Sequence, residues 1–131
     1  MKVNQYVTDT HSLVWYFIES SRLSKKALKA FEKTVKEGSI IIPTVVLAEI
    51  MYIYKKGRIT ISFAETVKKI ENSENFEIAP LDLDILNTAD KIDYKLEMHD
   101  RLIMATANFF DVPIITKDQT IKDSGLCKVI W

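Results

Sequence analysis

An α/β fold, with a central parallel sheet of about four to five strands and helices on both faces, is predicted by three observations. Short apolar runs alternate along the chain with longer segments of helical periodicity. One run, Ile40-Ile41-Ile42, is continuously apolar, as in a strand buried on both faces. Polar residues follow several of the runs and open helices, so carboxylates collect where strands end, the edge at which ligands gather in parallel sheets. The 131 residues fit one domain, expected to span 1–131, large enough to bury its own core.

Residues Lys2 to Thr8 read as the first strand, ending at Asp9, with a short helix over Ser12 to Glu19. Ser24 is an N-cap for a helix carrying Ala27, Leu28, Phe31 and Val35 at helical spacing, ended by Gly38. Pro43 and Thr44 follow the Ile40–Ile42 strand and open an apolar helix through Val45, Val46, Ile50 and Ile53, stopped by Gly57. Ser62 begins a helix to about Asn72, and Phe76 to Ala79 is a strand closed by Pro80. Asp82 starts a long helix with Ile85, Ala89, Ile92 and Leu96 on one face, and Asp100 starts the next, with Ile103, Ala107 and Phe110. Val112 to Thr116 is a strand with proline near its start, where a missing N–H is tolerated. A short helix near Gln119 to Lys122 and a strand from Cys127 to Trp131 complete the reading.

Composition narrows the function. Hydrophobic residues make up 47% of the chain, enough to offset chain entropy, and no apolar run approaches a membrane span. The residues after Met1 have no apolar leader core, and the single cysteine, Cys127, can form neither an internal disulfide nor a thiolate metal site. A cytoplasmic protein is the expectation. With 3 glycines there is no GxGxxG and no GxxxxGK[ST], so the sequence argues against dinucleotide and P-loop chemistry. The balance of 18 basic and 18 acidic residues leaves nucleic-acid binding to where the charge sits.

Four carboxylates sit at strand ends and helix starts: Asp9, Glu49, Asp100 and Asp118. Clustered hard oxygen donors with no competing Cys/His group suit Mg²⁺ or Mn²⁺. Singly, Asp100 reads more readily as a helix N-cap, Asp118 as a turn residue and Asp9 as another cap. Glu49 is harder to dismiss, because it interrupts the apolar run Val45 to Met51, where an unpaired charge is costly. Thr10, Thr106 and Thr116 flank the acids, and their hydroxyls can fix carboxylate rotamers or water.

The runs Thr8-Asp9-Thr10-His11, Leu47-Ala48-Glu49-Ile50, His99 to Ala107 and Ile114 to Asp118 resemble the four motifs of PIN-domain ribonucleases, most closely the VapC-type toxins of toxin–antitoxin pairs. The resemblance spans essentially the whole chain, and its most specific piece is Asp100-Arg101-Leu102-Ile103-Met104-Ala105-Thr106-Ala107. It implies a PIN-like fold and a Mg²⁺- or Mn²⁺-dependent endoribonuclease that leaves 5′-phosphate and 3′-hydroxyl ends. By analogy Asp9 and Asp100 are the principal metal ligands; Glu49 and Asp118 complete a second, weaker site or hold metal-bound water. A cognate antitoxin and a homodimer are the implied protein partners, and RNA the substrate. The sequence departs from the pattern at Leu96-Glu97-Met98-His99, where relatives often carry Asp-Pro, and at Asp123, an extra acid.

Metal-activated water needs no histidine base, so His11 and His99 are read as non-catalytic. Arg101 is read as an ordinary surface or ion-pair residue, and Lys117 as the cation best placed for RNA, beside Asp118. Trp15, Tyr16, Tyr52 and Tyr54 are core or interface aromatics before they are base-stacking ones. Two other classes compete. A Mg²⁺-dependent phosphatase or phosphoreceiver would want a second acid near Asp9, where Thr10-His11-Ser12 stand. A non-catalytic PIN-fold binding module would have no need of all four acids.

Overall fold

The computed structural model describes residues 4–131, so the expected strand start at Lys2 lies outside the described residues. The elements run β1 (Asn4–Thr8), α1 (Thr10–Phe17), α2 (Lys25–Glu37), β2 (Gly38–Pro43), α3 (Thr44–Lys55), α4 (Phe63–Glu71), β3 (Phe76–Ala79), α5 (Leu83–Asp90), α6 (Met98–Phe110), β4 (Ile114–Ile115), α7 (Gln119–Ser124) and β5 (Val129–Ile130). All five strands are parallel, in the order β3-β2-β1-β4-β5, as the alternating pattern predicts.

The sheet is covered on both faces. Ile40, Ile41 and Ile42 are all buried, as are Val7 with Thr8 and Ile114 with Ile115, so successive side chains on opposite faces both meet protein. Each buried isoleucine contributes about 1.5–3 kcal/mol relative to exposure. Phe31 of α2 stacks on Tyr16 of α1, with ring centroids 4.3 Å apart and planes 5° apart. Trp15 of α1 meets Trp131 at 5.9 Å, tying the last residue to the first helix.

Gly38 passes the chain from α2 straight into β2. It is not a left-handed helix cap, because its backbone is extended. Its role is space: a Cβ there would lie 1.8 Å from the backbone oxygen of Asn4, its register partner on β1. Gly57, at φ +71°, does adopt the left-handed conformation that glycine accepts cheaply.

Several element ends differ from the sequence reading. The first helix begins at Thr10, because Asp9 caps it. The helix from Asp82 stops at Asp90 instead of reaching Leu96. The reason is Arg101, whose Nη1 donates to the carbonyls of Ala89 (3.3 Å) and Ile92 (2.8 Å) and whose Nη2 donates to Tyr94 (2.7 Å). The guanidinium thereby satisfies carbonyls in and beyond the last turn of α5 that a continuing helix would have bonded itself. Arg101 is therefore a helix-end clamp, not a surface or ion-pair residue. The strands predicted over Val112 to Thr116 and Cys127 to Trp131 shorten to two residues each.

Candidate active site

Sheet topology decides which loops meet. β1 lies between β2 and β4, so the chain leaves β1 toward β2 on one side, and β4 arrives on the other. The crevice beyond the carboxyl ends at such a switch point is where α/β sheets place ligands. Asp9 directly follows β1, and Asp118 follows β4 after Thr116 and Lys117. Glu49 is on α3, which follows β2 without a break, and Asp100 is in the first turn of α6.

Asp9 is doubly held. Its Oδ1 accepts the Ser12 backbone N–H at 2.9 Å, the N-cap bond of α1. Its Oδ2 accepts the Thr116 hydroxyl at 2.5 Å. The register of β1 on β4, with Thr8 opposite Ile115, brings Thr116 to Asp9. Thr116 Oγ1 also accepts the backbone N–H of Asp118 at 3.0 Å, so one hydroxyl links two of the acids. Burial pushes the Asp9 carboxyl above the usual carboxylate range, against the hydrogen bonds from Ser12 and Thr116. Glu49 accepts the Thr10 hydroxyl, which fixes its rotamer across the gap between α1 and α3. Two of the three predicted threonines therefore touch an acid. Thr106 does not: it is buried in α6 and its hydroxyl donates to the Leu102 carbonyl, 2.8 Å away.

Asp118 is the N-cap of α7, its Oδ1 accepting the Ile121 N–H at 2.9 Å. Asp100 is not a cap. α6 begins at Met98, and its N-cap is Glu97, whose carboxylate accepts the N–H groups of His99 and Asp100. The cap reading of Asp100 is thereby corrected, and its carboxyl makes no hydrogen bond within the described structure.

Asp100 is also where the acids register one another most strongly. Burial, and then the charges of Asp118, Glu97, Asp9 and Glu49, in that order, together raise its pKa to about 6. The helix N-terminus favours its ionised form by about 0.3–1 kcal/mol, but burial and the neighbouring acids outweigh that. Glu97 was missed by the sequence reading. A glutamate is an uncommon N-cap, and the signal available was that Glu97 stands where the motif usually differs. Its partner is His99, whose pKa it raises by the bond between them. This pair is the one salt bridge among the described residues, so no lysine or arginine pairs with the four acids.

This donor set fits a hard divalent cation by its chemistry: carboxylate oxygens only, a shared negative field, and no thiolate or histidine to bring a softer metal. Among the described residues no three of the acids are already drawn close enough to ligate one ion. Lys117 is exposed between Thr116 and Asp118, Asp123 is an exposed acceptor for Gln119 at 2.7 Å, and His11 is exposed against Trp15. A cavity of about 890 Å³ lies elsewhere, between α1, α2 and α4, and is lined by none of the four acids.

The raised pKa of Asp100 has a stability consequence. Between its usual 3.8 and about 6, the folded protein keeps a proton that the unfolded chain releases. Stability of the metal-free protein from this source therefore falls as pH rises through that window, and stays lower above it. Asp100→Asn is expected to raise Tm in EDTA at pH 7 by on the order of 1–2 °C, since the group is partly solvated and screened. The difference from wild type should shrink toward pH 4, and exposed Asp93→Asn should show neither effect. Melts at both pH values check this; a Tm for Asp100→Asn below wild type at pH 7 contradicts it.

The sequence matches the model of the PIN domain family over residues 6–125, and the chain belongs to that family. The fold is similar to that of several solved structures. VapBC2 from Rickettsia felis bound to a promoter DNA fragment matches with a TM-score of 0.70 and 16% identity, over 95% of this chain and 96% of that one. A toxin–antitoxin complex from Klebsiella pneumoniae matches at 0.62 and 23% identity, over 86% of each chain. FitAcB from Neisseria gonorrhoeae matches at 0.66 and 14% identity, over 95% of each chain. A sequence comparison with curated proteins finds no match. No helix among the described residues is long and apolar enough to cross a membrane.

Proposed function

We propose that this PIN-domain protein is a divalent-metal-dependent endoribonuclease and the toxin of a toxin–antitoxin pair. The observation that carries the reading is that the Thr116 hydroxyl joins Asp9 and Asp118 at the switch point of the sheet, with no lysine or arginine among the described residues paired to any of the four acids. Asp9 and Asp100 would hold Mg²⁺ or Mn²⁺, with Glu49 and Asp118 completing a second site or carrying its water. When bound, the ion supplies charge neutralisation of the phosphodiester and a water of lowered pKa.

The chain itself contributes placement. Thr116 donates to Asp9 and Thr10 to Glu49, so both carboxylates enter the reaction with fixed rotamers, one oxygen of each already bonded. Ser12 N–H and the first turn of α1 fix the other oxygen of Asp9. Arg101 clamps the α5–α6 connection, and Glu97 caps α6, which together set the height of Asp100 in the crevice. His99 is engaged by Glu97 and takes no part as a base.

Partners follow from likeness. One structural neighbour is a toxin–antitoxin complex, which supports a cognate antitoxin here. Tyr52 and Tyr54 on α3, 65% and 41% exposed, suit contact with a protein partner or a second copy of the chain. The test is cleavage of single-stranded RNA by the purified protein. Mn²⁺ or Mg²⁺ should support it, EDTA should stop it, and the products should carry 5′-phosphates. Undiminished cleavage in excess EDTA overturns the mechanism and points to attack by the 2′-hydroxyl.

A further inference from the structure

Helix α2 has three faces. Ala27, Ala30, Phe31 and Thr34 are buried, and Leu28 and Val35 are exposed beside the large cavity. The third face holds Lys25, Lys26, Lys29, Lys33 and Lys36, all exposed. At 100° per residue these five fall within an arc of about 100°, over a rise of about 17 Å.

As a solvated helix face this is a poor arrangement. Lys25 and Lys29, and Lys29 and Lys33, are like charges at i, i+4, and each such pair destabilises the helix. Lys25 and Lys26 stand in the first turn, where the helix dipole opposes cations and no acidic residue is present. No ion pair among the described residues relieves any of the five. Of the flanking acids, Glu37 accepts from the Asn4 amide at 3.3 Å and Glu32 stands one turn before Lys36, so five lysines face two acids on this side of the helix. A row of exposed cations in excess over its acids is matched by a polyanion that brings its own row of charges.

Its direction matters. α2 runs into β2 with no intervening residue and packs back on β2 and β1, so it lies antiparallel to the strands. Glu37 is therefore at the amino edge of the sheet, beside the start of β1, and Lys25 is toward the carboxyl edge, where the four acids lie.

We propose that the lysine face of α2 is a track for the phosphate backbone of single-stranded RNA, leading to the carboxylate edge. The proposal rests on the ribonuclease reading and adds to it where the substrate lies outside the site. RNA needs such cations at a distance, because the site itself is acidic and repels phosphate.

The test separates binding from cleavage. Binding of a labelled single-stranded RNA oligonucleotide is measured in EDTA, at several salt concentrations, for wild type and for Lys26→Gln/Lys29→Gln/Lys33→Gln. The control is Lys55→Gln/Lys56→Gln/Arg58→Gln, which removes three cations at the far end of α3. Thermal melts establish that each variant is folded, and a Lys26→Gln/Lys33→Gln double variant replaces the triple if the triple is not. The α2 variant should bind at least about tenfold more weakly at low salt, and its slope of log K against log [salt] should be shallower by about 2 for three lost phosphate contacts. The control should keep affinity and slope. Equal binding by wild type and the α2 variant, an equal loss in the control, or no RNA binding by wild type overturns the proposal. If wild type binds through α2 yet never cleaves with Mn²⁺, the ribonuclease reading fails while the track stands. If the α2 variant binds and cleaves as wild type does, the track fails while the ribonuclease reading stands.

Discussion

Asp9→Asn and Asp100→Asn are each expected to lower metal-dependent RNA cleavage by about 10²-fold or more while the protein stays folded. Asparagine keeps the shape of aspartate and loses its charge. For Asp9 the substitution also keeps the structural duty, since asparagine serves as well as aspartate at an N-cap and can accept the Ser12 N–H. Asp100 has no cap to lose, because Glu97 holds the first turn of α6. Loss of activity in either variant thus reports on charge at the site and not on helix capping. His11→Ala and His99→Ala should keep most of the activity. Single-turnover cleavage with Mn²⁺ measures all four; full activity in Asp9→Asn or Asp100→Asn removes the carboxylates from the mechanism.

Gly38→Ala is expected to lower Tm by roughly 3–12 °C, from an overpacking cost of about 1–3 kcal/mol. The new methyl group would meet backbone, not a movable side chain: the Asn4 carbonyl oxygen at 1.8 Å, its carbon at 2.8 Å and its Cα at 3.2 Å. Relief requires the start of β1 to move off β2, which disturbs the pairing of Asn4 with Gly38 and of Gln5 with Ser39. Gly57→Ala is the comparison. Its position costs backbone strain at φ +71° but has nothing within 4 Å to collide with, so the loss should be smaller. Thermal denaturation of the two variants separates crowding from strain. A Gly38→Ala protein that melts with wild type would mean that the two strands are not in this register.

The centre of the sheet was legible because β2 is buried on both faces, and Ile40-Ile41-Ile42 says so without tertiary information. The helix ends were less so. The stop of α5 at Asp90 depends on a guanidinium from the next helix, 7 to 12 residues further along, and no local pattern around Ile92 announces it. β4 and β5 are short because only two residues of each find register partners. For the candidate site, strand ends and motif positions singled out the four acids, and the structure bonds two of the flanking threonines to them, Thr116 to Asp9 and Thr10 to Glu49. Thr106 did not follow: adjacency in a motif cannot tell a hydroxyl aimed at an acid from one bonded back to its own helix. Nor could sequence assign the cap of α6, since Asp100 is the better N-cap by residue type and the backbone instead turns at Glu97.

The central claim is that the acids form one cation-holding centre. Calorimetric titration of Mn²⁺ into wild type, Asp9→Asn, Asp100→Asn and Asp93→Asn tests it most directly. The account predicts binding by wild type and Asp93→Asn, and binding at least about tenfold weaker in both site variants. Equal Mn²⁺ affinity in all four proteins, or none in wild type, would contradict it.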